Sequence, residues 1–482
     1  MSRITWSARV KREVDDAEQA FRRCWRLLAS LKAGNRLDES ALPLPEFQPR
    51  LAEALFRLSK SYHEIEREKS TLVGRKLRLT SAWFNARMRF LSKQQEILLH
   101  ASQVGRVIGD GFAWYFYRDD RQFLAEHLAE QPQWLMPPGV GGAAEISFIR
   151  STVGIGGQVV LYHGITSMLR LGDITLVDPK TMRAVSLAEL KAGVPHDGKI
   201  NISVYSPLPI GTHRSADNQT PPKKAVADEP NLSPRALDRL RRQMKRIASS
   251  HAKREETPDE KKSLDLLENR AEHLGQLVES VRPLCTSWRR FGKGTAYIVL
   301  CHRRAALYRR LASKGIGGLK QQLASVTDVA QQIMVPNRSD NALILVSWMF
   351  GKGGPTSLQV GMTHPIWWPM SARALERVIF QEAVVLALYN PAHLVSALED
   401  AGYTVAGGPP DQFNVSKRIG DTRVELEGMP FYIRMVHTYL FDEQDVVNIL
   451  EATNTAYVGR EGRGKVAMWI EQRFGRRPDD AT

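Results

Sequence analysis

From about Val14 to Gln103 the apolar positions recur with the three-to-four-residue spacing of helices, broken once at Ala41-Leu42-Pro43-Leu44-Pro45, after which the spacing predicts a second pair of long helices. Basic and acidic residues alternate through Lys60 to Arg78, as on a solvated or coiled-coil surface. The densest aromatic run, Phe112-Ala113-Trp114-Tyr115-Phe116-Tyr117, falls on a predicted helix and reads as core rather than as a base-stacking surface. The pattern then shortens. Ala143 to Ser151 follows a glycine pair and predicts a short helix, and Gln158 to Gly164 predicts a strand. Ile-Thr-Leu-Val from Ile174 and Val-Ser-Leu-Ala-Glu-Leu from Val185 predict two more strands, joined by a turn at Asp178-Pro179-Lys180-Thr181. Pro234 to Ser249 is strongly helical, and Thr295 to Cys301 predicts a further buried strand. Between Pro207 and Pro234 the Pro, Ser, Asn, Asp and Lys content predicts a flexible loop. A helical stretch is expected through Ala252 to Arg282, broken near Glu255-Glu256-Thr257-Pro258. From about Thr356 to Thr482 strands and helices mix, and His364 to Pro369 resembles a loop with exposed aromatics, although packed loop tryptophans are the commoner outcome.

Candidate chemistry sits on the two joined strands. If they pair antiparallel, Asp173 comes beside Glu189, and alternation along a strand turns Glu189 and Lys191 to one face with Leu190 on the other. Two acids and an amine converging on one point suit phosphodiester hydrolysis with a divalent cation: hard oxygens hold the ion, and the ammonium orients the attacking water or stabilises charge developing on phosphorus. A strand ending in Glu-Leu-Lys is also common on solvated sheet edges. A similar run at Gly420-Asp421 and Val424 to Glu427 has its acids too close for two strands and no lysine after them, and is assigned to a solvated hairpin.

At Asp173, Glu189 and Lys191 the chain resembles the PD-(D/E)XK nuclease superfamily, over roughly a third of its length. The resemblance implies Asp173 and Glu189 as ligands for Mg²⁺ or Mn²⁺, Lys191 as the catalytic lysine, and a helix, three strands, helix, strand order that the elements above can fill. Leu171-Gly172 stands where the nominal proline would precede the aspartate. The resemblance also points to Glu145, on the first helix, as an additional metal-holding acid, although a glutamate at a helix N-terminus is equally expected from the dipole. His163 could touch substrate or metal, but a lone histidine beside a glycine turn is more often structural. Gln243 could orient the site or merely satisfy backbone groups.

The charge balance fits this chemistry. The 482 residues carry a net charge of +15 and a pI near 9.7, which attracts polyanions. On the helix from Pro234, residues Arg235, Arg239, Arg242 and Arg246 share one face and are expected to meet phosphates, while Leu240, Met244 and Ile247 share another. Three scattered cysteines, Cys24, Cys285 and Cys301, fit buried thiols in a cytoplasmic protein. No apolar run predicts a membrane span, and the N-terminus has no apolar leader. The glycine clusters lack phosphate-loop spacing, and the motifs of a serine or cysteine hydrolase are absent.

The expected class is α/β: a restriction-endonuclease-like mixed sheet flanked by helices at 106–350, with a loop and helical insertion at about 207–290, preceded by a helical region at 1–105 and followed by an α+β region at 351–482. The expected function is Mg²⁺- or Mn²⁺-dependent cleavage of nucleic acid, DNA before RNA, by analogy alone in prokaryotic defence or restriction. The alternatives are a non-catalytic nucleic-acid-binding scaffold or sensor on the same fold, or a structural subunit. A protein partner or homo-oligomer would engage the helical regions.

Overall fold

The computed structural model describes residues 5–34, 43–118, 120–128, 133–137, 140–192, 202–206, 234–255, 261–264, 270–302, 305–312, 319–336, 338, 340–349, 363–406, 413–420, 422–426, 429–458 and 467–470. It is a mixed α/β chain that divides into two compact units, Met1–Thr257 and Pro258–Thr482.

The first unit begins with three long helices, α1 (Trp6–Lys32), α2 (Leu44–Gly74) and α3 (Ser81–Tyr117), which pack on one another. Their apolar stripes explain this. Val10, Val14, Ala17, Phe21, Cys24 and Leu28 recur at helical spacing on α1 and are buried, as are Phe47, Leu51, Leu55 and Leu58 on α2. Gly105 lets α3 come close, since a Cβ there would lie 2.5 Å from the Phe21 ring. Phe112, Trp114, Phe116 and Tyr117 are core.

After α4 (Arg121–Leu128) and α5 (Val140–Ser151), a five-stranded sheet follows in the order β1 (Gly154–Ile155), β2 (Gln158–Tyr162), β3 (Ile174–Asp178), β4 (Arg183–Ala192) and β5 (Ile202–Tyr205). All its described pairings are antiparallel, where a mixed sheet was expected. The helix α6 (Pro234–Glu255) packs against β4. The long helices hold this sheet by polar staples. Gln48 of α2 donates to the Val160 carbonyl and accepts from the Tyr162 N–H, both at 2.7 Å. From α3, buried Arg106 donates to the carbonyls of Gly164 and Thr166, both at 2.5 Å, and buried Asp110 accepts from the N–H groups of Ser167 and Met168 and from the Ser167 hydroxyl. Such groups are buried only because each is hydrogen-bonded.

The second unit holds β6 (Lys261–Leu264), α7 (Ala271–Ser280), β7 (Thr286–Phe291), β8 (Thr295–Cys301), α8 (Leu307–Ala312), α9 (Leu319–Gln332), β9 (Ile344–Ser347), α10 (Ala372–Ile379), β10 (Ala383–Tyr389), α11 (Ala392–Asp400), β11 (Thr404–Ala406), β12 (Asn414–Ile419), β13 (Thr422–Leu426), α12 (Met429–His437), α13 (Glu443–Val458) and β14 (Ala467–Ile470). Its main sheet runs β7-β8-β10-β9; β11-β12-β13 form a second, and β14 pairs parallel with β6. Two expectations change here. Thr295–Cys301 is a buried strand, but its partners are β7 and β10, so it does not complete the sheet that carries Asp173 and Glu189. The stretch after Ala252 is not continuously helical, because β6 lies between α6 and α7. Trp367 and Trp368 are packed, and Thr422–Leu426, the described strand of the run after Gly420, pairs with β12 as the hairpin strand β13. The proline-rich loop at 207–233 lies outside the described residues.

Candidate active site

Strand register brings the two acids together. Ile174 pairs with Ala188, and the Asp173 N–H donates to the Ala188 carbonyl at 2.9 Å, so Asp173, one residue before β3, faces Glu189. A bulge between Leu176 and Val177 absorbs the extra residue nearer the turn and leaves this end in phase. Gly172, with φ of +77°, makes the entry possible: a Cβ there would lie 2.9 Å from the Ala188 carbonyl oxygen.

Each site group has a defined partner. Asp173 Oδ2 accepts the Leu190 N–H at 2.8 Å, which fixes its carboxylate across the strand gap. Lys191 Nζ donates to Glu189 Oε2 at 2.6 Å and to Gln243 Oε1 at 3.3 Å. These described partners leave the third ammonium proton for another acceptor. Glu145 on α5 accepts from the Tyr162 hydroxyl at 2.6 Å. The structure therefore gathers Asp173, Glu189, Lys191, Glu145 and Gln243 on neighbouring elements of one unit.

Burial raises both glutamates of the cluster. Burial and then the charge of Asp173 push Glu189 up to about 7, opposed by the hydrogen bond and charge of Lys191; a hydrogen bond shared with Asp173 also favours its protonated form. Burial likewise raises Glu145, with Asp173 adding to the rise and Tyr162 and Lys191 opposing it. Like charges brought this close are relieved by a proton or by a cation in the proton's place. Among the described residues no three of His, Cys, Asp and Glu are grouped to hold a metal ion by themselves. The carboxylates of Asp173 and Glu189 nevertheless fit the Mg²⁺ habit of binding through one or two carboxylates while keeping water and substrate phosphate oxygens.

His163 does not reach outward. Its ring is buried, with Nδ1 2.9 Å from the Gly172 carbonyl and Nε2 2.6 Å from the Thr175 hydroxyl, which is the bracing arrangement of a structural histidine, the commoner of the two readings of this position. Sequence reasoning missed its companions. The Tyr117 hydroxyl lies 2.6 Å from Thr175 Oγ1 and 3.1 Å from His127 Nε2, and His127 Nδ1 accepts the N–H groups of Arg170 and Leu171 at 3.1 Å. One assignment of protons satisfies every group. His127 donates from Nε2 to Tyr117, Tyr117 donates to Thr175, Thr175 donates to His163 Nε2, and His163 donates from Nδ1 to the Gly172 carbonyl. The chain of bonds grips residues 170–172 immediately before Asp173. The only sequence signal was a pair of histidines and a tyrosine in apolar runs.

Of the arginine face, Arg239, Arg242 and Arg246 are exposed while Leu240 and Ile247 are buried; the Arg235 side chain lies outside the described residues. At 100° per residue Gln243 sits roughly 60° round the helix from Arg246, between the arginine face and the buried face. The amide that meets Lys191 is thus on the border of the cationic stripe.

Comparison of the chain with models of protein families, with curated proteins and with solved structures finds no match to any of them.

Proposed function

We propose that the protein is a metal-dependent nuclease that hydrolyses phosphodiester bonds, with DNA preferred over RNA, on a restriction-endonuclease-like core. The single observation that carries this reading is the pairing of Asp173 with Glu189 across β3 and β4, with Lys191 Nζ 2.6 Å from Glu189. Around these residues the chain runs α5, β1, β2, β3, β4, β5, α6, and this helix, strands, helix succession supports the same core, with the two-residue β1 and the edge strand β5 in addition to the expected three.

Asp173 and Glu189 would hold Mg²⁺ or Mn²⁺, with Glu145 close enough in charge to assist. An ion held there would supply Lewis-acid polarisation of the scissile phosphate and a water of lowered pKa. Lys191, positioned by Glu189 and Gln243, directs its remaining proton at the attacking water or at a phosphate oxygen. The Leu190 N–H keeps the Asp173 carboxylate from turning away, and α6 offers Arg239, Arg242 and Arg246 to the backbone on either side of the cut. The surplus of +15 supports a polyanionic substrate. Among the described residues no helix is long and apolar enough to cross a membrane, and we place the activity in the cytoplasm, in a defence or restriction role by analogy alone.

A binding-only scaffold is the second reading, favoured by the absence among the described residues of a third grouped protein ligand. Purified wild type and Lys191→Ala, incubated with double-stranded DNA, single-stranded DNA and RNA with and without Mg²⁺, separate the two. Metal-dependent cleavage by wild type that Lys191→Ala loses supports the nuclease. Salt-sensitive binding with no cleavage under any condition supports the scaffold.

A further inference from the structure

The α2–α3 hairpin ends in a tip whose charge has no internal explanation. Between Glu68 and Glu96 the chain carries seven Lys or Arg and no Asp or Glu. Three of them are committed along the shafts: Arg87 pairs with Glu68 at 2.6 Å, Lys93 with Glu96 at 3.0 Å, and Lys69 donates to Ser92 and Gln95. Arg75, Lys76, Arg78 and Arg89 are exposed and have no carboxylate partner among the described residues. Apolar groups share the tip, with Leu77 102% exposed, Val73 55% and Trp83 49%. Isolated exposed apolar residues are ordinary, but three among four unneutralised cations form a surface that favours a bulky anion.

Its distance from the residues that staple the sheet is fixed by the helices. Gln48, which staples β2, lies 26 residues before Gly74 in α2, about 39 Å at 1.5 Å per residue. Trp83 lies 23 residues before Arg106, which grips the loop after β2, about 35 Å along α3. Phosphates on one face of a B-form duplex recur every turn, about 34–36 Å. The α3 length matches this repeat and the α2 length exceeds it by a few ångströms, so a duplex laid along the hairpin reaches from the stapled sheet to the tip in about one turn.

We propose that this tip is a second contact for duplex DNA, gripping the phosphate backbone about one helical turn from the point of cleavage. Arg75, Arg78 and Arg89 suit phosphate oxygens through their forked donors, Lys76 adds a point charge, and the Trp83 indole offers an apolar face and an N–H donor beside the sugar. The proposal rests on the nuclease reading, and deepens it by requiring a substrate long enough to span both contacts.

The test uses the full chain without divalent metal, so that binding is read without cleavage. Labelled duplexes of 8 and 24 base pairs are titrated against wild type, against the triple variant Arg75→Gln, Lys76→Gln and Arg78→Gln, and against Trp83→Ala. Because these side chains are exposed, melting curves should match wild type. The expected result is that the triple variant loses about tenfold or more in affinity for the 24-mer and little for the 8-mer. Its log affinity against log salt should flatten by about 2–3 units on the 24-mer, one for each phosphate released. Trp83→Ala should weaken the 24-mer with an unchanged slope. A triple variant that binds the 24-mer as wild type does overturns the tip contact alone. A wild type that binds neither duplex removes the nuclease reading as well. Loss of binding to vesicles of anionic phospholipid, with duplex binding intact, overturns the proposal and assigns the tip to a membrane surface.

Discussion

His163 Nδ1 lies 2.9 Å from the Gly172 carbonyl, one residue before the Asp173 carboxylate, so a buried imidazole braces the backbone that delivers a candidate metal ligand. The opposite ring nitrogen is engaged by Thr175, and the bonds run on through Tyr117 to His127. Each member is buried, so removing one strands its neighbour without a partner, at a cost of about 1–3 kcal/mol. Tyr117→Phe and Thr175→Val should therefore both destabilise the protein by that order in chemical denaturation. Their double variant should cost less than the two losses added, because they share one network. Additive losses would show that the two hydroxyls act independently.

The same network sets an acid limit. Burial holds His163 down at about 3 and His127 well below its usual value, so both are neutral in the folded chain, while the unfolded chain protonates them near 6.5. Their stabilisation is present in full above 6.5 and is lost as the pH falls below it, for His163 down toward 3. Each histidine contributes a slope on the order of 1.4 kcal/mol per pH unit in that window. The denaturation midpoint of wild type relative to His163→Asn should drop on acidification from pH 7 to 5. A constant gap between the two proteins would mean that His163 titrates alike in the folded and unfolded chains.

Glu189 has the opposite sign. Its folded value, raised to about 7 by burial and by Asp173, exceeds that of the unfolded chain, so its contribution is fully present below about 4.5 and is lost as pH rises through 7. Glu189→Gln, which keeps the neutral shape, should gain on wild type as pH rises from 5 to 8. In the same range Mn²⁺ should bind wild type more tightly with rising pH, and Glu189→Gln and Asp173→Asn should bind it more weakly than wild type by calorimetry. Unchanged metal binding in both variants would place the ligands elsewhere.

Loss of the Lys191 amine should act on the reaction rather than on the fold. The group is part-buried, its described bonds are to Glu189 and Gln243, and removing an electrostatic stabiliser costs about 10²-fold or more in turnover. Lys191→Ala should cleave at least that much more slowly, with a melting temperature close to wild type and nucleic-acid binding retained. Gln243→Ala, which loosens the amine without removing it, should lower turnover by less. Wild-type cleavage by Lys191→Ala would remove the assignment.

The site and the fold were not equally legible. The runs from Ile174 to Val177 and Val185 to Leu190, with a turn between, marked the two strands as neighbours, but the bulge between Leu176 and Val177 that brings Asp173 into register with Glu189 was not legible, because one inserted residue shifts every pairing beyond it. The membership of Thr295–Cys301 was not legible, since a run buried at every position reads the same in any sheet, and only long-range packing assigned it to β7 and β10. The bracing of residues 170–172 was hidden for a related reason. Tyr117 sits 58 residues from Thr175, and an aromatic at the end of a buried helix carries no local mark of a hydroxyl aimed at a neighbouring strand. Arg106 and Asp110 were likewise missed, because charged residues within the apolar run of α3 look solvated until the sheet they staple is in place.

The arginine stripe of α6 gives a test that separates a substrate groove from a solvated face. Leu240 and Ile247 are buried while Arg239, Arg242 and Arg246 are exposed, and Gln243 on the border of the two faces meets Lys191, so the stripe starts beside the candidate site. If these arginines hold phosphates, Arg239→Gln with Arg242→Gln should weaken binding to a similar extent across unrelated sequences. The slope of log affinity against log salt should fall by about one unit for each arginine replaced. Because the stripe adjoins the site and the hairpin tip does not, the weakening should appear with 8-base-pair duplexes as well as with long ones. Mn²⁺ binding should be unaltered, since the substitutions leave Asp173 and Glu189 in place. An unchanged salt slope on both lengths would assign these side chains to solvent and leave the excess of +15 to other surfaces.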